Sequence, residues 1–249
     1  MVWSSTLFKS LTFTLKIYRV YWPYLVAISI LMPITYLVIV FAISQGDFEV
    51  LRVALTGYIT IAGFNILFYM SAILVANTFE EQVLESYALL PVPFWEIIAS
   101  LILTQALIGT APLILGLVML RSVSSSINIS PLLAGLVLIF VIYTLLAILL
   151  GVTVRSRIRL DPLLVFLMMI VIITTPAYYR LLHVSEPYKT LLLVNPLTHI
   201  VVILRSSVGV SECVPVEFSI LYTTLFSILL CIFVWYKLRG GVFTVLEKR

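Results

Sequence analysis

Apolar positions in this chain do not alternate with polar ones. They form long unbroken runs separated by short polar connectors. Six runs, at about 22–43, 54–76, 97–120, 131–153, 162–179 and 218–236, are predicted spans, because about 20 mostly apolar helical residues cross a bilayer. Backbone groups in lipid must pair within the protein, so such runs are predicted to be helices. Their continuous character argues against a barrel, whose strands alternate. Ahead of them, Trp3, Leu7, Phe8, Leu11, Leu15, Tyr18 and Trp22 recur at helical spacing, while Ser5, Lys9, Thr12, Lys16 and Arg19 occupy another face. That pattern predicts an amphipathic helix lying in the membrane interface.

Between the fifth and sixth runs, residues 181–217 are too long for a tight turn and too apolar for a solvated loop. Asn195 is a suitable N-cap and Pro196 a suitable first helical residue. The helix they open would end near Val208, too soon to span. Thr198, His199, Arg205 and Ser206 fall to one side of it. The expectation is a broken, re-entrant pair of half-helices on the outer side, tolerated at membrane depth only where protein or a water-filled cavity covers the backbone. Pro33, Pro112 and Pro176 lie within the runs and predict kinks. Asp161, before Pro162, reads as the N-cap of the fifth span. Tyr58, Phe64, Phe68 and Tyr69 could face either a path or lipid.

Composition agrees with a bilayer as solvent. Hydrophobic residues make up 62% of the 249 and charged ones 10%, with mean hydropathy +1.20, against about 45–50% and 25% in soluble domains. The predicted fold class is therefore an all-α polytopic membrane protein. Its single domain, 1–249, comprises the interfacial helix (1–21), a six-span core (22–238) and a tail (239–249). The first run is a full span, so no cleavable signal is expected. The net charge of +4 does not point to nucleic acid, because the basic residues cluster at segment ends. With the N-terminus inside, ten basic residues, among them Arg155, Arg157 and Arg159, face the cytoplasm and five face outward. Both termini are thus expected to be cytoplasmic. Cys213 and Cys231 lie far from other ligand-type residues, so neither a disulfide framework nor a metal site is expected.

The stretch NTFEEQVLESYALLPVPFWEI, residues 77–97, breaks this pattern. It falls on the predicted inner side, yet it carries Glu80, Glu81, Glu85 and Glu96 and no basic residue. Thr78 and Glu81 fit a capping box. Phe79, Val83 and Tyr87 share a face, and Pro91 must end the helix. A capped, solvated connector needs no such aromatic stripe. An exposed Phe79/Tyr87 face beside acids suits contact with another protein.

This stretch resembles the segment joining the second and third spans of ABC-2 type transporter permeases. The resemblance rests on Phe79, Glu80, Glu81, Glu85, Ser86, Leu89, Leu90, Pro91 and Pro93. A second stretch, NPLTHIVVILR at 195–205, is similar to that family's string before the last span. The two motifs in this order, in a six-span chain with an amphipathic N-terminal helix, cover nearly the whole length. The resemblance implies a prokaryotic cell-membrane permease, an exporter acting as a dimer of two permease copies. It implies that residues 79–89 form a coupling helix seated on a cytoplasmic ABC ATPase through Phe79, Glu80, Glu81, Val83, Glu85 and Tyr87. It also implies that the element bearing Asn195, Pro196, His199 and Arg205 closes the outer side of the path.

The chain has no G-x-x-x-x-G-K-S/T loop, so ATP and Mg would be held by the partner ATPase, with no cofactor in this chain. An ATP-independent secondary transporter or channel is the alternative. Against a carrier, no acidic or basic residue sits at mid-depth in the predicted spans, where an ion or proton relay would need one. Asn65 and Gln105 are the strong polar groups deep in the runs and the candidates for lining a path; interhelical hydrogen bonding is the commoner use of such residues. His183 and His199 stand outside any catalytic or metal pattern, and no catalytic residue is expected.

Overall fold

The computed structural model describes residues 32–80 and 94–241, together with Thr12, Val83 and Glu85. The predicted interfacial helix (Thr12 apart), the start of the first span, Glu81, Tyr87, Pro91 and Pro93 lie outside the described residues. The architecture is all-helical, with no strand among the described residues. In chain order it comprises α1 (Met32–Ser44), α2 (Phe48–Asn77), α3 (Phe94–Val123), α4 (Ile129–Val154), α5 (Arg157–Thr174), α6 (Glu186–Val194), α7 (Pro196–Ser207) and α8 (Val216–Gly241).

Four of these, α2, α3, α4 and α8, are long and apolar enough to cross a membrane; the number is five if α6 and α7, bent by 96° at Asn195, count as one broken span. Only the last part of the first predicted span is described, as α1. The fifth predicted span differs from expectation. It starts at Arg157 behind Ser156, whose extended backbone precedes the helix, and not at Asp161, which lies inside α5 and accepts a hydrogen bond from the Tyr69 hydroxyl. It also stops at Thr174. Pro176 therefore kinks nothing: it follows the helix, in keeping with the bias of a pre-proline residue such as Thr175 away from the helical region (φ −106°, ψ 124°). Pro112 does lie within a helix, α3, where its carbonyl accepts from the Tyr58 hydroxyl at 3.2 Å.

The 30 residues of α2 make a rod about 45 Å long. It is the central helix, packing against α1, α3, α4 and α7. Apart from the exposed Phe48 at its start, its aromatic residues turn toward the interior. Tyr58, Phe64 and Phe68 are buried, with Phe64 and Phe68 ring centroids 4.6 Å apart and Tyr143 of α4 edge-on to Phe64 at 5.5 Å. Over Phe64–Met70 the backbone widens to a π-helical pattern. The outward faces of α3, α4 and α8 remain apolar, as at Val118, Val137 and Ile232, each about three-fifths exposed. Their buried sides carry small and hydroxyl residues, the usual means by which apolar helices approach closely. On α8, Thr223 donates to the Ser219 carbonyl and Ser227 to the Thr223 carbonyl.

Two glycines mark contacts that admit no side chain. A Cβ on Gly57 of α2 would lie 2.0 Å from the carbonyl oxygen of Ala177, and one on Gly151 of α4 would lie 2.7 Å from Val75. The first contact shows that the non-helical stretch after α5 runs directly across α2.

Candidate functional site

Two polar neighbourhoods lie at the two ends of α2. One end holds the α1–α2 turn and Asp47. The other holds the α2 terminus at Thr78 and the α4–α5 turn at Arg155.

At the Asp47 end, the Asp47 carboxylate caps α2 by accepting from the backbone N–H of Glu49 (2.7 Å) and Val50 (3.4 Å). The stretch after α5 passes alongside α7. Asn195 Nδ2 donates to Thr174 Oγ1 at 3.0 Å and Thr175 Oγ1 at 3.2 Å, while its Oδ1 accepts from the Leu197 N–H at 3.0 Å. Asn195 thus caps α7 and ties it to the end of α5, with Pro196 as the first helical residue.

Nearer the far end of α7, Arg205 is fully buried. Its Nη1 donates to Glu212 Oε1 at 2.7 Å, and its Nη2 donates to the carbonyls of Pro176 (2.5 Å) and Ala177 (3.4 Å). The other Glu212 oxygen accepts from the Leu181 N–H at 3.0 Å. Both side chains of this ion pair are 0% exposed. Desolvating two charges costs several kcal/mol each, so such a pair persists only where further hydrogen bonds occupy its polar atoms. Here they come from residues 176–181, with Arg205 Nε left without a partner among the described residues, and the pair fastens that stretch, α7 and the stretch bearing Glu212 into one block. Arg180 joins that block to α2: it donates to Glu49 at 2.6 Å and to the Ser211 carbonyl at 2.7 Å. A cavity of about 350 Å³ opens beside it, lined in part by Asp47, Glu49, Tyr178, Tyr179, Arg180 and His183.

His199 serves a different joint. Its Nε2 lies 2.9 Å from the Leu193 carbonyl and its Nδ1 3.1 Å from Ser219 Oγ. A carbonyl can only accept, so Nε2 carries the proton. In the neutral ring Nδ1 then accepts from the serine hydroxyl. Tyr222, whose ring centroid is 4.3 Å from that of His199, donates its hydroxyl to the Val194 carbonyl at 2.7 Å. The last carbonyls of a helix lack intrahelical partners. Those of α6 find them in His199 and Tyr222, which lets the chain bend by 96° with its backbone satisfied.

At the Arg155 end, Thr78 closes a helix and does not open one. Its backbone is helical (φ −64°, ψ −17°) and its hydroxyl donates to the Val75 carbonyl at 2.6 Å, whereas an N-cap residue takes an extended backbone. The chain continues in tight turns, with Phe79 N–H bonded to Ala76 and Val83 N–H to Glu80. Glu80 and Glu85 are exposed and Val83 is half-buried. Phe79, predicted to face outward, is half-buried against a cluster containing Val75, Ile98, Ile102 and Val152 from three helices. The Arg155 guanidinium lies over its ring, 5.3 Å from the centroid.

The two candidate path residues are buried inside the helix packing: Asn65 in the π-helical part of α2, and Gln105 on α3. His199 and Arg205, expected at the outer closure, are likewise fully enclosed. Sequence reasoning missed Glu212, Glu49, Arg180 and Tyr222. An available signal was a carboxylate seven residues after a lone arginine in an apolar helix. No protein-family model matches the chain, and none of the curated proteins searched matches it either.

Proposed function

We propose that this chain is the membrane-spanning subunit of an ATP-driven transporter of the ABC-2 permease type. In this reading it crosses the cell membrane of a prokaryote six times, with both termini in the cytoplasm. Two copies form the path, and ATP with Mg binds a separate cytoplasmic ATPase. Closure of that ATPase pushes on the 79–89 segment, and the path opens outward for export.

The observation that carries the reading is the order of parts along the chain. A long apolar helix, α2, ends in an acid-rich turn, and a helix pair bent by 96° stands immediately before the last long helix. Glu80 and Glu85 are exposed where α2 ends, and positive-inside topology gives no reason for acids on the inner side. Contact with a partner does. The enclosure of Arg205 and His199 refines the role of α7: it is a fixed strut, and α6, with exposed Tyr188, Leu191 and Val194, is the freer half of the bent pair.

The test is co-purification with a phosphate-loop ATPase encoded beside this chain. Replacing Glu81 and Glu85 together by Lys is expected to abolish association and transport. Unchanged association and transport in that variant would overturn the docking role, and a stable, transport-active chain without any ATPase would favour an ATP-independent carrier.

A further inference from the structure

Arg155 differs from its two neighbours in the basic trio of the α4–α5 turn. Arg157 and Arg159 are exposed, whereas Arg155 is half-buried. Its backbone is left-handed (φ 53°) and its N–H bonds to the Gly151 carbonyl, ending α4. A left-handed backbone disfavours side chains other than Gly, Asn and Asp, so helix termination alone would favour another residue here. A signal for topology would be met equally well by an exposed arginine.

What the position provides is an aim. The Arg155 Nε donates to the Val152 carbonyl at 3.1 Å, which orients the guanidinium over the Phe79 ring. Phe79 is the second residue after the end of α2, and it packs against the cluster formed by Val75 of α2, Ile98 and Ile102 of α3 and Val152 of α4. A guanidinium within about 6 Å of a ring centroid is attracted to the aromatic face. The ring is therefore held between an apolar floor and a cationic roof.

We propose that Arg155 is a positioning residue that clamps Phe79, so that any displacement of the acidic segment is passed to the α4–α5 turn. The clamp is a property of this chain alone. Its use in transport rests on the reading above.

The test uses the full-length chain with Cys213 and Cys231 replaced by Ser and Ile98→Cys introduced into the cluster that Phe79 packs against. This position is buried, and its labelling by maleimide is expected to speed up when the ring lifts off the cluster. Arg155→Asn, which tolerates the left-handed backbone, is expected to raise the labelling rate about two- to fivefold, the equivalent of one cation–π contact. Arg155→Lys is expected to retain most of the protection, which separates loss of the clamp from a folding defect. In a Phe79→Leu background the same Arg155→Asn change is expected to have no further effect. An unchanged rate in Arg155→Asn, or an equal rise with and without the Phe79 ring, would overturn the clamp. No ATPase enters this measurement, so a failure of the clamp and a failure of the transporter reading are distinguishable.

Discussion

Removing Arg205 tests the buried block most directly. Arg205→Met keeps the length and apolar stem but deletes the guanidinium. Glu212 then remains enclosed, with the Leu181 N–H as its remaining bond, and the Pro176 and Ala177 carbonyls lose their donor. Stranding one member of a buried pair typically costs about 3–5 kcal/mol. For a chain of this size each kcal/mol corresponds to roughly 2–4 °C in midpoint. The expected fall is therefore about 6–20 °C, read as the fraction remaining monodisperse after heating in detergent. Adding Glu212→Gln removes the stranded charge and leaves orphaned carbonyls at about 1–3 kcal/mol, so the double variant is expected to be more stable than the single. A loss below about 2 °C for Arg205→Met would refute the view that the pair fastens three segments. So would a double variant less stable than the single one.

Gly57→Ala forces a methyl group to within 2.0 Å of the Ala177 oxygen; a loss of about 3 kcal/mol or more and a poor yield of monodisperse protein are expected, and normal yield would mean that 175–180 does not cross α2. His199→Phe preserves a ring against Tyr222 but leaves the Leu193 carbonyl and Ser219 unpaired, costing about 1–3 kcal/mol; hydrogen exchange should accelerate in α6 while the amides of α4 stay protected. Glu49→Gln removes a pair whose members are 22% and 56% exposed, so its effect should stay within about 1 kcal/mol; a drop comparable to that of Arg205→Met would show that the two ion pairs act as one unit.

Long helices were legible because one signal, an unbroken apolar run, dominates wherever every face is apolar. The predicted runs at 54–76, 97–120, 131–153 and 218–236 lie within α2, α3, α4 and α8, and Asn195-Pro196 marked the start of α7 correctly. Boundaries failed where a second interaction competed with the local one. Thr78 has the right chemistry for an N-cap, but its backbone stays helical as the end of α2, with its N–H bonded back to Leu74 and Val75. The fifth run is apolar through 171–179, yet the helix stops at Thr174 because the following backbone is taken up by Gly57, Arg205 and Glu212. The orientation of Phe79 was invisible for a related reason: spacing defines a face but not which neighbour lies under it.

The sequence by itself determined the apolar helical character of the chain, the approximate places of its long helices, the break at Asn195 and the anomaly of the acids near Glu80. Each follows from short-range rules of length, period, capping and charge. Only the tertiary structure decided what the isolated polar groups are for. Arg205 finds Glu212 and two carbonyls, His199 ends α6, and Arg155 covers Phe79. These partners come from separate helices or from stretches outside regular structure. Burial obliges a polar atom to find a partner, but the folded arrangement of the helices selects which one.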